Sequence, residues 1–260
     1  MNFSTYMDKV RNDRPLVHII TNYVTVNDCA NVTICAGGSP IMTDEVKDIN
    51  DISRIASAVV LNIGTLNERT VEAMIHAGVI ANRNSVPVIF DPVGAGASNY
   101  RNQVVETILS KVKVAVIKGN AGEINFIAGM GGEVRGVDSV SQGSDSSAVE
   151  ALAKKYNCIA AMSGETDFVS DGEKTLKLSN GSSLMDRVSG TGCMLSCVVA
   201  SYVGANGPSV ESVASAITTF TVAGELAEPN SKGPGSFKVS LFDSLSNLTD
   251  DELDSMAKVQ

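Results

Sequence analysis

The sequence predicts an α/β protein built on a mostly parallel central sheet flanked by helices. Short β-rich runs alternate along the chain with longer segments of amphipathic helical spacing, as βαβ units do. Several of the short runs are apolar on both faces, the pattern of buried parallel strands. Glycine-rich, polar punctuation follows these runs, where an open α/β sheet places its ligands. With 260 residues and 43% hydrophobic content the chain is long enough for one large core, and 1–260 is read as a single domain.

Taken in order, residues 1–15 are polar and charged and lack the apolar core of a secretory signal. A first strand is expected at 16–20, followed by Thr21-Asn22-Tyr23-Val24-Thr25-Val26-Asn27-Asp28, which leads into Cys29-Ala30-Asn31-Val32-Thr33. Ala36-Gly37-Gly38-Ser39-Pro40-Ile41-Met42 closes another short extended piece. Further strands are expected at 58–62, 88–90, 114–118, 158–162 and 166–171, with helices between them at 65–81, 99–111, 121–128 and 144–156. Residues 139–147 read as a polar, serine-rich loop and helix cap. Two late helices are expected at about 192–203 and 209–226, the first nearly all apolar and therefore buried, and a last run at 237–242 reads as an edge strand.

The formal net charge of −9 argues against nucleic acid or an anionic membrane as partner, since the average surface field repels both. An anionic ligand would have to be held by local devices, such as helix N-termini or a bound Mg²⁺. Five cysteines, odd in number and set in apolar stretches without a Cys-x-x-Cys pair, read as reduced thiols. The two histidines, His18 and His76, stand apart from any ligand cluster, so a structural metal is not expected. No apolar run approaches the ~20 residues of a membrane span, and a cytoplasmic protein is expected.

The most informative stretch is Val188-Ser189-Gly190-Thr191-Gly192-Cys193, which runs straight into an apolar helical segment. Glycines let backbone amides converge, and the helix that follows aims unpaired N–H groups and its positive dipole end at the same point. Such a place suits a phosphate, and Cys193 lies beside it. The alternative is that small residues are there only to let the helix pack on a sheet.

Three strand ends add chemistry. The run 88–90 ends in Asp91-Pro92-Val93-Gly94-Ala95-Gly96, where Asp91 is either a ligand-facing carboxylate or an Asx-turn residue. The run 114–118 leads into Gly119-Asn120-Ala121-Gly122-Glu123, where Glu123 either completes a capping box with Asn120 or joins Asp91 in holding Mg²⁺ through its waters. Ser163-Gly164-Glu165 ends a third strand, and the Ser163 hydroxyl either touches a nucleotide phosphate or satisfies the turn. Asn22 is either a cap or a ligand contact, and Met42 taken alone is core filler. There is no Walker loop, no set of protein-kinase loops and no dinucleotide-binding glycine fingerprint.

Taken together, Thr21-Asn22-Tyr23-Val24-Thr25, Ala36 through Met42, Asp91-Pro92-Val93-Gly94-Ala95, Lys118-Gly119-Asn120-Ala121-Gly122-Glu123-Ile124, Arg135-Gly136-Val137-Asp138-Ser139 and Gly190-Thr191-Gly192-Cys193 resemble, in the same order, the hydroxyethylthiazole kinases. The resemblance spans nearly the whole chain. It implies a ribokinase-like three-layer fold and ATP-dependent phosphorylation of the primary alcohol of 4-methyl-5-(2-hydroxyethyl)thiazole, a salvage step toward thiamine. It also implies a homotrimer with active sites between subunits. On the matched positions, Met42 and Gly190 would contact the thiazole and Asn22 would line its pocket. Lys118 and Ser163 would contact ATP, and Asp91 and Glu123 would organise Mg²⁺. The family often has arginine at position 118 and threonine at 163. Lysine keeps the charge but loses the planar fork.

Cys193 occupies the place where ribokinase-like enzymes usually carry an aspartate base. Phosphoryl transfer needs alignment and charge neutralisation more than strong base catalysis. The amides of Gly190, Thr191, Gly192 and Cys193 are therefore expected to hold the transferring group while Cys193 orients the hydroxyl. A helix N-terminus lowers a thiol from its usual pKa of ~8.5, while phosphate charge opposes the shift. Two other readings stand beside this one. A kinase for hydroxymethylpyrimidine or pyridoxal would carry aspartate at 193, and a nucleotide-binding regulatory protein would keep the fold without turnover.

Overall fold

The computed structural model describes residues 2–130 and 146–260. The Arg135 to Ser139 motif, and the start of the helix expected at 144–156, lie outside the described residues. Among the described residues eight strands form one sheet in the order β2-β1-β3-β4-β5-β6-β7-β8. They are β1 (Leu16–Ile20), β2 (Ser39–Ile41), β3 (Ala58–Asn62), β4 (Val88–Asp91), β5 (Val116–Asn120), β6 (Ile159–Ser163), β7 (Asp167–Ser170) and β8 (Thr175–Leu178). The first six are parallel, and β7 and β8 add as antiparallel neighbours.

The helices are α1 (Ser4–Asp13), α2 (Val26–Cys35), α3 (Val46–Ile55), α4 (Glu68–Arg83), α5 (Asn99–Lys111), α6 (Ala121–Ala128), α7 (Ser147–Tyr156), α8 (Thr191–Asn206), α9 (Val210–Ala227), α10 (Pro234–Asn247) and α11 (Asp250–Met256). Period-two alternation divides the strand residues between two apolar layers. Ala58 and Val60 of β3 face one core with α1, α2 and α8 to α11, whereas Val59 and Leu61 face the other with α3 to α7. The predicted three-layer α/β architecture is thus present.

Where the expected elements shift, the cause is local. The helix expected from 65 begins at Glu68 because Asn67 caps it, its side chain accepting from Thr70 N while Thr70 Oγ1 reciprocates. The run 237–242 is not an edge strand. It lies within α10, where Phe237, Leu241 and Leu245 repeat every four residues on the buried face and Pro234 opens the first turn. The amino-terminal segment, polar overall, still folds as α1 because Phe3, Met7 and Val10 fall on one face. β8 arises from a hairpin whose turn holds Gly172 at φ +94°.

Residues 194–203 of α8 are all buried, and the helix packs on β1, β3 and β4 with α9 behind it. The Tyr202 hydroxyl meets Thr219 Oγ1 at 2.8 Å between these two helices, with both residues buried. Tyr202→Phe leaves the Thr219 hydroxyl without that partner and is expected to cost about 1–2 kcal/mol of unfolding free energy, read from a urea denaturation midpoint at unchanged slope.

Candidate active site

The connections from β1 and β3 leave for opposite faces of the sheet, since α2 packs in one layer and α4 in the other. That divergence opens a crevice at the carboxyl ends of the two strands, the usual ligand position of an open α/β sheet. Asn22 follows β1, Asn62 ends β3, Asp91 ends β4 and Lys118 lies in β5. The amino-terminal end of α8 enters the same crevice.

No side chain caps α8. Its N-cap is Gly190, at φ +87°, and the first helical bond runs from Met194 N to the Gly190 carbonyl. Among the described residues nothing accepts from the amides of Thr191, Gly192 or Cys193, and Gly192 is exposed. The tip therefore offers free N–H groups and the positive end of the helix dipole to a ligand. Gly190 is required for close approach as well as for its φ. A Cβ there would come 2.1 Å from Cγ2 of buried Thr25.

Asn22 does more than turn the chain. Its Oδ1 accepts from Thr25 N at 3.2 Å and Thr25 Oγ1 at 3.1 Å, as an Asx turn does. Its Nδ2 donates to Asn62 Oδ1 at 3.0 Å and to Cys193 Sγ at 3.3 Å. Half-buried Cys193 is thereby tied to the β1 loop.

Asp91 is no turn residue. It is buried, and its Oδ2 accepts from Asn62 Nδ2 at 2.8 Å and from Ser196 Oγ at 2.7 Å. Burial pushes its pKa up, opposed by Lys118 and by the Ser196 and Asn62 hydrogen bonds. Glu123 completes the capping box, with Oε2 accepting from Asn120 N at 2.8 Å while Oε1 takes Gly94 N at 2.8 Å. Burial, with the charge of Asp91 second, pushes Glu123 up to about 7.

Lys118 is buried, and its Nζ donates to the Gly192 carbonyl at 3.0 Å. Its charge is felt by Asp91, Glu123 and Asp167. Ser163 stands opposite Asn120 across β5 and β6, its hydroxyl 3.4 Å from the Gly119 carbonyl. Met42 follows β2, one strand further out, half-buried against the larger core.

The Cys193 thiol is pushed up to about 11, by burial first and then by Asp91, and Lys118 only partly compensates. The lowering expected at a helix N-terminus is outweighed, and the group is a neutral thiol at physiological pH.

Among the described residues no group of three or more His, Cys, Asp or Glu could enclose a metal ion. The chain offers two carboxylates whose hydrogen bonds already occupy Asp91 Oδ2 and both oxygens of Glu123. That donor set fits Mg²⁺ held largely through its waters and phosphate oxygens, rather than an ion enclosed by protein.

Three further site residues are not singled out by local sequence. Asn62 and Ser196 hold Asp91, and Asp167 opens β7 next to β6. Asp167 is buried, accepts from Gly164 N at 3.0 Å and is pushed up to about 7 by burial, against the pull of the Gly164 amide and Lys118. For Asn62 and Asp167 the local signal is a polar or charged residue ending or opening an otherwise apolar strand, whereas Ser196, inside α8, carries none.

The description "Hydroxyethylthiazole kinase family" belongs to the family model that matches residues 7–251. A protein named hydroxyethylthiazole kinase from Thermoanaerobacter pseudethanolicus is 48% identical over 254 residues, which cover 96% of each chain. The solved hydroxyethylthiazole kinase structure from Pyrococcus horikoshii OT3 is 36% identical, covers 99% of this chain and 98% of its own, and superposes with a TM-score of 0.91. A ribokinase-like superfamily protein from Enterococcus faecalis V583, at 11% identity and a TM-score of 0.66 over 92% of this chain and 88% of its own, shares the fold. No helix of the described residues is long and apolar enough to cross a membrane.

Proposed function

The chain belongs to the hydroxyethylthiazole kinase family, and on that ground we propose that the crevice at the α8 tip transfers the terminal phosphoryl group of ATP to the primary hydroxyl of 4-methyl-5-(2-hydroxyethyl)thiazole. The product is the thiazole phosphate used in thiamine salvage and biosynthesis. One kinase domain, 1–260, carries the reaction. The observation that supports this most is the uncapped α8 tip, open at Gly192 and set between the Asn22 loop and buried Asp91.

In this reading the amides of Gly190, Thr191, Gly192 and Cys193 bind the migrating phosphoryl oxygens. Their positions are fixed before reaction, so little reorganisation accompanies the transition state. Lys118 adds charge beneath the tip, and Lys118 and Ser163 contact ATP. Met42 and Gly190 contact the thiazole and Asn22 lines its pocket. Asp91 and Glu123 would hold Mg²⁺ through water, and the ion neutralises phosphate charge when bound.

Cys193 positions the acceptor hydroxyl. A thiol with a pKa of about 11 is not ionised beforehand, and a loose transition state demands little base strength. Cys193→Asp, which supplies an acceptor at the same place, is expected to keep kcat within about tenfold of the parent or to raise it, since a general base typically contributes about 10²–10⁴-fold. Steady-state kinetics decide. A folded variant that binds both substrates and does not turn over would refute a positioning role.

The enzyme would work as a cytoplasmic homotrimer with sites between subunits. Support comes from Tyr23, Val24, Val26 and Ile34, apolar side chains exposed on the Asn22 loop and α2. A coupled assay of ATP consumption across a panel of small alcohols tests the activity. Turnover dependent on the thiazole alcohol is expected. Preference for hydroxymethylpyrimidine or pyridoxal, or no turnover at all, would replace this reading.

A further inference from the structure

Asn62 is 1% exposed and lies directly across from Asp91 in the parallel register of β3 and β4. In-register residues on adjacent parallel strands project to the same face, so amide and carboxylate meet. The Asn62 amide has a determined orientation. Its Oδ1 accepts from Asn22 Nδ2 at 3.0 Å and from Gly64 N at 2.9 Å, while Nδ2 donates to Asp91 Oδ2 at 2.8 Å. Turned round, it would set N–H against N–H and oxygen against carboxylate.

Gly64 contributes by what it lacks. A Cβ there would lie 2.7 Å from Asn22 Nδ2, so a larger residue would push Asn22 off its partner. From Asn22 the bonds continue to Cys193 Sγ, and from Asp91 to Ser196 Oγ, one turn further along α8. The chain Cys193, Asn22, Asn62, Asp91, Ser196 therefore starts and finishes on one helix. It forms a closed ring across the β1 loop, β3, β4 and α8.

We infer that Asn62 is a positioning residue that locks the acceptor pocket, through Asn22 and Cys193, to the carboxylate that organises the phosphoryl donor. The inference rests on the roles given above to Asn22 and Asp91. Within the ring, Asn62 is the member bonded both to Asn22 and to Asp91. A single amide then sets both the alcohol's approach and the carboxylate's aim.

Calorimetry on the full chain tests this without reference to turnover. Hydroxyethylthiazole is titrated into the protein, and ADP is titrated at a series of Mg²⁺ concentrations. Asn62→Ala is expected to weaken thiazole binding and to raise the Mg²⁺ needed for tight ADP binding, each by about tenfold, the usual cost of losing an outer-shell partner. Asn22→Ala should move only the first quantity and Ser196→Ala only the second. If Asn62→Ala does not fold, Asn62→Ser is read in the same way. Either quantity staying at the parent value in a folded Asn62 variant overturns the inference. If instead Mg²⁺ leaves ADP affinity unchanged in the parent and in Asp91→Asn, the role of Asp91 itself fails, and the inference falls with it.

Discussion

Gly190→Ala is expected to lower kcat/KM by about hundredfold or more, the scale of losing one transition-state hydrogen-bond donor, while the protein stays folded. Two effects act together. The backbone at Gly190 has φ +87°, and an L side chain in the left-handed region costs roughly 1–2 kcal/mol. The added methyl would also sit 2.1 Å from Thr25 Cγ2, so one of the two segments must retreat. Thr25 is held by its amide and hydroxyl bonds to Asn22, whose other end grips Cys193. The strain therefore spreads into the first turn of α8 and the acceptor pocket at once. Thr25 also accepts from the core residue Cys29 at 3.6 Å, so a melting temperature lowered by several degrees should accompany the loss. An alanine variant with parental kcat/KM would mean that the amides at this tip do not hold the reacting group.

The sheet was legible because its signals are local. Runs such as Ala58-Val59-Val60-Leu61-Asn62 are apolar on both faces, and buried parallel strands have few other patterns. Asn120 and Glu123 were legible as a capping box for the same reason, since four residues of chain contain the whole motif. What local sequence does not contain is the second use of such a residue. Glu123 also takes the Gly94 amide, 29 residues away, and Asp91 takes Ser196, 105 residues away. Those pairings exist only once β4, β5 and α8 are assembled. Asn62 looks like an ordinary strand end until register sets it against Asp91. The protonation state of Cys193 was left open by its sequence because a helix dipole can be read from sequence, whereas burial beside a carboxylate cannot. The run at 237–242 failed differently. Its aromatic and β-branched residues invited strand, while the four-residue repeat of Phe237, Leu241 and Leu245 only becomes visible when extended to 245.

Asp91→Asn should reduce kcat by roughly 10²–10³-fold, in the range found when a preorganised electrostatic contact is removed, and it should also change how stability depends on pH. The substitution keeps the shape of a side chain held by Asn62 and Ser196 but removes the charge that faces Lys118. Glu123 then loses a repulsive neighbour. In the metal-free parent its carboxyl is raised from an ordinary 4.5 to about 7, by burial and next by Asp91. A carboxyl with a raised folded-state pKa contributes stability that is fully present below its unfolded value and is lost as pH rises through the folded one. The melting temperature of the metal-free parent should accordingly fall between about pH 5 and pH 8. In Asp91→Asn, the part of this decline due to the raised pKa of Asp91 itself vanishes, and the part due to Glu123 moves to lower pH. Buried Asp167, also raised to about 7, is untouched and preserves a residual slope. Thermal melts of both proteins across that range are the measurement. Parallel declines of equal steepness would show that Asp91 and Glu123 do not share a field, and would separate the two carboxylates assigned to one phosphate-bound cation.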